Sequence, residues 1–186
     1  MKYIFALILL SVAYITYAES NKTSVMSIFL TCDPDISLIN QYDEIKENNE
    51  KNQFLRKAAS ADIHANGKTD ADSVNKSLKK ATAIRLIGKT PGTNNIDIII
   101  NELAFSDLAS KSYPAIDASI DKGEVILSHL WRVVEDANSN SDYFMTINAG
   151  MALQKIMGKK EYQAMLNAKK GTIDKQVYQS LLLQEY

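Results

Sequence analysis

The chain is short of the residues that most chemistry relies on. It has one cysteine, Cys32, so no internal disulfide can form, and stability has to come from packing, which a chain of 186 residues can supply. It has two histidines, His64 and His129, and no zinc or thiol-protease motif surrounds either. Neither sign of charge dominates: 21 Lys and Arg face 22 Asp and Glu, for a formal net charge of −1. That balance gives no basic face for nucleic acid. There is no internal repeat of fixed period and no long low-complexity segment. Arginine is scarce (Arg56, Arg85 and Arg132 only) while Lys, Ile and Asn abound, a usage that suggests an AT-rich, bacterial source.

The one long apolar run stands at the start. MKYIFALILLSVAYITYA has a lysine at position 2, an apolar stretch from Tyr3 to Ile15, and small residues at Thr16 and Ala18. This is the charged, apolar and small-residue order of a secretory signal. Its apolar stretch is shorter than the roughly 20 residues needed to span a hydrocarbon core. The expectation is a signal peptide over residues 1–18 and a mature domain over 19–186 with no stable transmembrane segment. An uncleaved anchor or a buried N-terminal helix is the alternative. No cysteine sits at the end of the run, which excludes a lipoprotein. Cys32, in MSIFLTC, is expected as a buried inert thiol, with an intermolecular bridge as the other possibility.

The rest of the chain is punctuated for helices. Asp33 and Pro34 suit a start before Ile36, Leu38, Ile39, Tyr42 and Ile45, which recur at helical spacing. The polar run KENNEKNQ either breaks this helix near Asn48–Asn49 or carries it on through solvent to Phe54, Leu55 and Ile63. Asp72 opens a helix with Val74, Leu78, Ala81 and Arg85 on one stripe. Asn95 caps a third, Pro114 starts a further stretch jointed at Gly123, and EVILSHLWRVV, apolar almost all round, is expected at the centre of the fold. Ser141 or Asn140 should cap a helix from Asp142 to Met157 with Phe144, Ile147, Met151 and Ile156 inward. KEYQAMLNAKK reads as a short helix, and Thr172 should cap the last, with Val177, Leu181 and Leu182 inside. Gly67, Gly88, Gly158 and Gly171 sit where helix stops belong. TSVMSIFLT alone has strand character, and without a partner strand it too reads as helix. The expected fold is all-α: a single-domain, irregular bundle of about six to eight helices.

Four clusters invite functional readings. In EDANSNSDYF, Asp136, Asn138 and Asn140 fit the first, third and fifth positions of a calcium loop, but the sixth is Ser141 and the twelfth Ile147. The turn glycine and the bidentate glutamate are both missing. A capped turn is expected, with a weak calcium site on Asp136, Asn138, Asn140 and Asp142 as the alternative. Asp62, His64, Asp70 and Asp72 match no zinc spacing, and Asp70 and Asp72 suit a helix start. Gly88–Lys89–Thr90 resembles the end of a phosphate loop, but Ala83 stands where its first glycine belongs. Asn21 and Asn75 head glycosylation triplets that matter only in a eukaryotic secretory route. His129 reads as a boundary residue, Arg132 and Asp136 as a surface pair, and Trp131 as a core anchor.

No nucleophile, base and oxyanion site assemble in the sequence. The functional expectation is an exported, non-enzymatic helical protein, periplasmic or secreted, that binds another protein. It would be an inhibitor or immunity-like protein, a secretion-system accessory or a secreted effector, without cofactor. The contact surface would lie on helix faces and the loops at 88–95 and 136–142. The alternatives are an exported hydrolase or metal-dependent enzyme with a scattered site, for which Asp62, His64, His129 and Glu135 are the candidates, and a weak calcium module.

Overall fold

The structure, a computed structural model, describes residues 34–63 and 71–183. The proposed leader, Cys32, TSVMSIFLT, Asn21, His64, Gly67 and Asp70 lie outside them. The chain divides into Met1–Pro34 and Asp35–Tyr186, and every element below belongs to the second unit. The described residues are helical, with no strand among them. In order they form α1 (Ile36–Glu44), α2 (Asn48–Ala59), α3 (Ala71–Lys89), α4 (Ile96–Asn101), α5 (Pro114–Lys122), a 3-10 turn (Gly123–Ile126), α6 (Leu127–Asp136), α7 (Tyr143–Met157), α8 (Lys159–Ala168) and α9 (Lys175–Leu182).

Helix starts follow the aspartates. Asp35, rather than Asp33, caps α1: its Oδ1 accepts from Leu38 N at 2.7 Å. Asp142 caps α7 through Met145 N at 3.1 Å, and Asp174 caps α9 through Gln176 N at 2.8 Å. The expected caps Ser141, Asn140 and Thr172 are engaged one turn earlier. Ser141 Oγ accepts from Asn138 N, Asn140 N donates to Asn138 Oδ1, and Thr172 Oγ1 donates to Lys169 O. That leaves the charged carboxylate, the stronger acceptor at the positive end of a helix, to do the capping. The polar run after α1 holds a true break, with Ile45 to Glu47 between α1 and α2. Asn95 occupies the N-cap position of α4, but with φ of 60° its side chain turns to α2, where it accepts from Arg56 and donates to Asn52 O at 3.2 Å.

The centre of the unit is α3. Every residue from Lys80 to Gly88 is buried, and α3 packs against α1, α2, α4 and α5. Small residues at Ala81, Ala83 and Gly88 admit neighbours from several sides. Gly88 is therefore a contact point inside the helix and not a stop. The expectation that EVILSHLWRVV fills the centre is overturned. Gly123, at φ of 62°, opens the 3-10 turn, and α6 then buries only Leu130, Trp131 and Val134 while Ser128, His129 and Arg132 face solvent. Trp131, 6% exposed, stacks on Tyr162 with ring centroids 5.9 Å apart.

The inward face of α7 also differs from expectation. Ala149, Gly150, Ala152 and Leu153 are buried with Thr146 and Asn148, whereas Phe144 is exposed. Helices α5, α6, α8 and α9 all pack on α7, and close approach selects the small-residue face over the bulky one. Asn148 meets its buried polar requirement by donating to Leu103 O at 2.7 Å. In α9, Tyr178 and Leu181 are inside and Leu182 is exposed.

The connection from α4 to α5 is organised around Asp107, which is fully buried. Its Oδ1 accepts from Ser77 Oγ at 2.9 Å and Ala109 N at 3.2 Å, and its Oδ2 accepts from Ser110 Oγ at 2.6 Å and Ser110 N at 3.3 Å. Ser110 and Ser112 hydroxyls meet at 2.6 Å, and Arg85 donates to Ser112 Oγ and to Asp117. A charge-assisted network thus replaces regular structure over 104–113.

Candidate functional site

The turn at 136–142 is closed by its own hydrogen bonds. Asn138 Oδ1 accepts from Asn140 N at 2.9 Å, Ser141 N donates to Asn138 O at 2.9 Å, and Asp142 is the cap of α7. Asp136 takes a long contact of 3.4 Å from Arg132 Nε, so the surface pair expected from sequence forms. Three of the four side chains expected of a calcium loop thus spend an oxygen within the turn: Asn138 and Asp142 on backbone amides and Asp136 on Arg132. Among the described residues, no three His, Cys, Asp or Glu side chains gather in a way that would hold a metal ion. Asp72 lies in the first turn of α3 and pairs with Lys76, four residues on. Lys89 ends α3, Thr90 Oγ1 donates back to Ile87 O at 2.7 Å, and Lys89 pairs with Asp121 at 2.6 Å. The resemblance to a phosphate loop thus falls on a helix end whose groups are already engaged.

A cleft of about 440 Å³ opens on the α6–α7 side. Its polar lining is Asp97, Asn101, His129, Arg132, Asp136 and Asp142, over Ile100, Val133 and Met145. It joins His129 to carboxylates, but not to Asp62 or Glu135, the two singled out with it for an enzyme; Asp136 and Asp142 come instead from the calcium-loop candidates. Glu135 instead pairs with Lys169, whose ammonium lies over the Trp131 ring, and Asp62 is not in the cleft. Each carboxylate of the cleft already has a partner: Asp136 has Arg132 within the cleft, Asp142 caps α7, and Asp97 takes Arg56. Arg56 forks onto both oxygens of Asp97, and this hydrogen bonding holds the Asp97 carboxyl below its ordinary value, against the opposing effect of burial. Among the described residues His129 has no hydrogen bond to orient it, whereas a general base needs a partner that fixes its tautomer.

An aromatic ledge stands at the start of α7. Tyr143 and Phe144 are 61% and 54% exposed, their rings meeting edge to face at 5.7 Å, and Phe144 stacks on Tyr113 at 6.5 Å. Beside the ledge a smaller hollow of about 150 Å³ runs past Tyr143, Ile147, Gln176 and Val177. The sequence holds one signal for this ledge. Two aromatics directly after a capping aspartate lie in the first turn, where consecutive side chains point about 100° apart and cannot both face a core.

The loop after α3, read as a binding loop, is clamped from below. Lys122, 7% exposed, donates to Thr90 O at 2.6 Å, Thr90 Oγ1 at 3.2 Å and Gly92 O at 3.0 Å. Three oxygens match the three protons of an ammonium. Burial lowers the basicity of this amine from the usual lysine value. Nothing in the sequence around Lys122 marks it for burial.

No family model, curated protein or solved structure matches this chain.

Proposed function

We propose that this protein is an exported, non-enzymatic helical protein that acts by binding another protein, with the ledge of Tyr113, Tyr143 and Phe144 as its contact surface. The observation that carries the reading is the exposure of Tyr143 and Phe144 on a capped helix start. Aromatic side chains bring large contact area with few rotatable bonds, and such groups anchor protein interfaces. Export rests on residues 1–18 and places the protein in the periplasm or the medium, as an inhibitor or immunity-like protein, a secretion-system accessory or an effector.

The test uses the full chain, expressed with its leader. Fractionated protein is expected outside the cytosol with Glu19 as its first residue; protein retaining Met1 in the cytosol would overturn export. Tyr143→Ser with Phe144→Ser is expected to abolish capture of a specific protein and to reproduce the deletion phenotype, with melting temperature within about 2–4 °C of the parent. A partner retained by the double variant would overturn the ledge as the contact surface.

A second reading, a hydrolase, draws on the cleft that sets His129 beside Asp97, Asp136 and Asp142. Under it, His129→Asn removes a turnover that the ledge variants leave intact.

A further inference from the structure

A second hollow, sharing no residue with the His129 cleft, opens where α1, α2 and the first half of α3 meet. It measures about 350 Å³ and is lined by Gln41, Phe54, Lys57, Ala58, Lys76 and Lys79, with Ala61 at its edge. Its surface is mostly apolar, supplied by Phe54, the two alanines and the lysine stems, which lie along apolar walls while their ammonium groups reach water. Among the described residues, three cations and no carboxylate line it.

The lysines elsewhere that are sheltered or face an element end are satisfied. Lys80 pairs with Glu102 at 2.8 Å, Lys89 with Asp121, Lys169 with Glu135, and Lys122 has its three oxygens. In the hollow, Lys76 shares its charge with Asp72. Lys57 and Lys79 make no ion pair or hydrogen bond among the described residues. In a chain whose net charge is −1, a concave, apolar, uncompensated cationic spot is therefore a local exception and not the spill-over of a basic protein.

We propose that this hollow binds a small carboxylate-bearing amphiphile. The apolar body lies on Phe54 and Ala58, and the carboxylate lies at the rim between Lys57 and Lys79. The volume is at the small end of ligand sites, so it suits one medium-chain acid rather than a length of peptide. The apolar floor supplies the driving force and the two free ammonium groups select the head, through charge-assisted hydrogen bonds stronger than neutral ones. This inference does not rest on the proposed partner surface, and either can fail without the other.

The experiment is a titration of the isotopically labelled protein followed by amide resonances. Decanoate is the probe, and decyltrimethylammonium, with the same tail and the opposite head, is the comparison. Saturable shifts at Phe54, Ala58 and Lys79 are expected with decanoate only. Affinity should fall about tenfold in Lys57→Gln with Lys79→Gln, the loss of charge-assisted contacts to the head. Lys57→Glu with Lys79→Glu should exchange the preference between the two probes. Both pairs are at the surface, so unchanged melting temperature is the control for folding. Absence of saturable shifts at these amides, equal binding of both heads, or full affinity in the glutamine variant would each overturn the proposal. So would a peptide with an acidic, apolar end that shifts these amides where decanoate does not.

Discussion

Gly88 of α3 lies against the backbone of Ala118 in α5: a Cβ placed on Gly88 would stand 2.6 Å from Ala118 Cα and 2.9 Å from its carbonyl oxygen. Neither atom is the movable end of a side chain, so relief requires the two helices to part. Alanine gains about 1 kcal/mol over glycine in helix propensity. Overpacking of a well-packed core costs about 1–3 kcal/mol, and here it falls on the central helix pair. Gly88→Ala is expected to lower stability by a net of up to roughly 2 kcal/mol, read as a lower urea midpoint at unchanged slope. A stabilised variant would show that α3 and α5 have slack between them.

Lys122 and Thr90 define the second expectation. Lys122→Met keeps the stem and removes the ammonium, leaving Thr90 O and Gly92 O without their donor, at a cost of about 1–3 kcal/mol. The pH dependence has a definite sign. Burial places the folded amine below its usual value of 10.5, so on raising pH the folded state releases this proton before the unfolded state does. In the window leading up to 10.5 the unfolded chain binds more protons, and the contribution of Lys122 to stability rises with pH. Below the folded value the cost of the buried charge is fully present. Tyr42, whose phenol is held above its usual value by burial and by Asp43, opposes this in both proteins and cancels in the comparison. The stability difference between wild type and Lys122→Met should therefore grow as pH is raised towards 10.5. A difference that shrinks would contradict the burial of the charge.

Asp107 yields the third. Asp107→Ala deprives the Ser77 and Ser110 hydroxyls and the Ala109 and Ser110 amides of one acceptor group, for a loss of about 3 kcal/mol. Asp107→Asn retains one acceptor oxygen and should lose about half as much. Hydrogen exchange provides the local readout: amides of Leu108–Ser112 should exchange faster in both variants, while those of α8 keep their rates. Unaltered exchange over 108–112 would mean that the connection is held by something other than this carboxylate.

The all-helical character of the described residues was legible because caps, breaks and apolar spacing agree along the chain. The proline start of α5, the joint at Gly123 and the end of α7 at Gly158 are local events, settled by residues within a turn of each other, whereas the break after α1 was one of two open readings. The Trp131 anchor and the Arg132–Asp136 pair were legible for the same reason. Errors of one or two residues at the caps of α1, α7 and α9 arose because several Asp, Asn, Ser and Thr stand together, and the choice depends on which side chain the preceding turn has already used. The candidate site was much less legible. Asp97 and His129 share a cleft, and Lys57 and Lys79 a hollow, only because α4 meets α6 and α2 meets α3, and those contacts join residues 20 or more positions apart.

The sequence by itself determined the helical character of the described residues and some of the helix ends, since a helix hydrogen-bonds within itself and its stops are short-range chemistry. The tertiary structure alone decided which face of each helix turned inward. It put the small residues of α3 and α7 at the contacts and left Phe144 in solvent, because packing is a competition among all the faces on offer for the same limited volume.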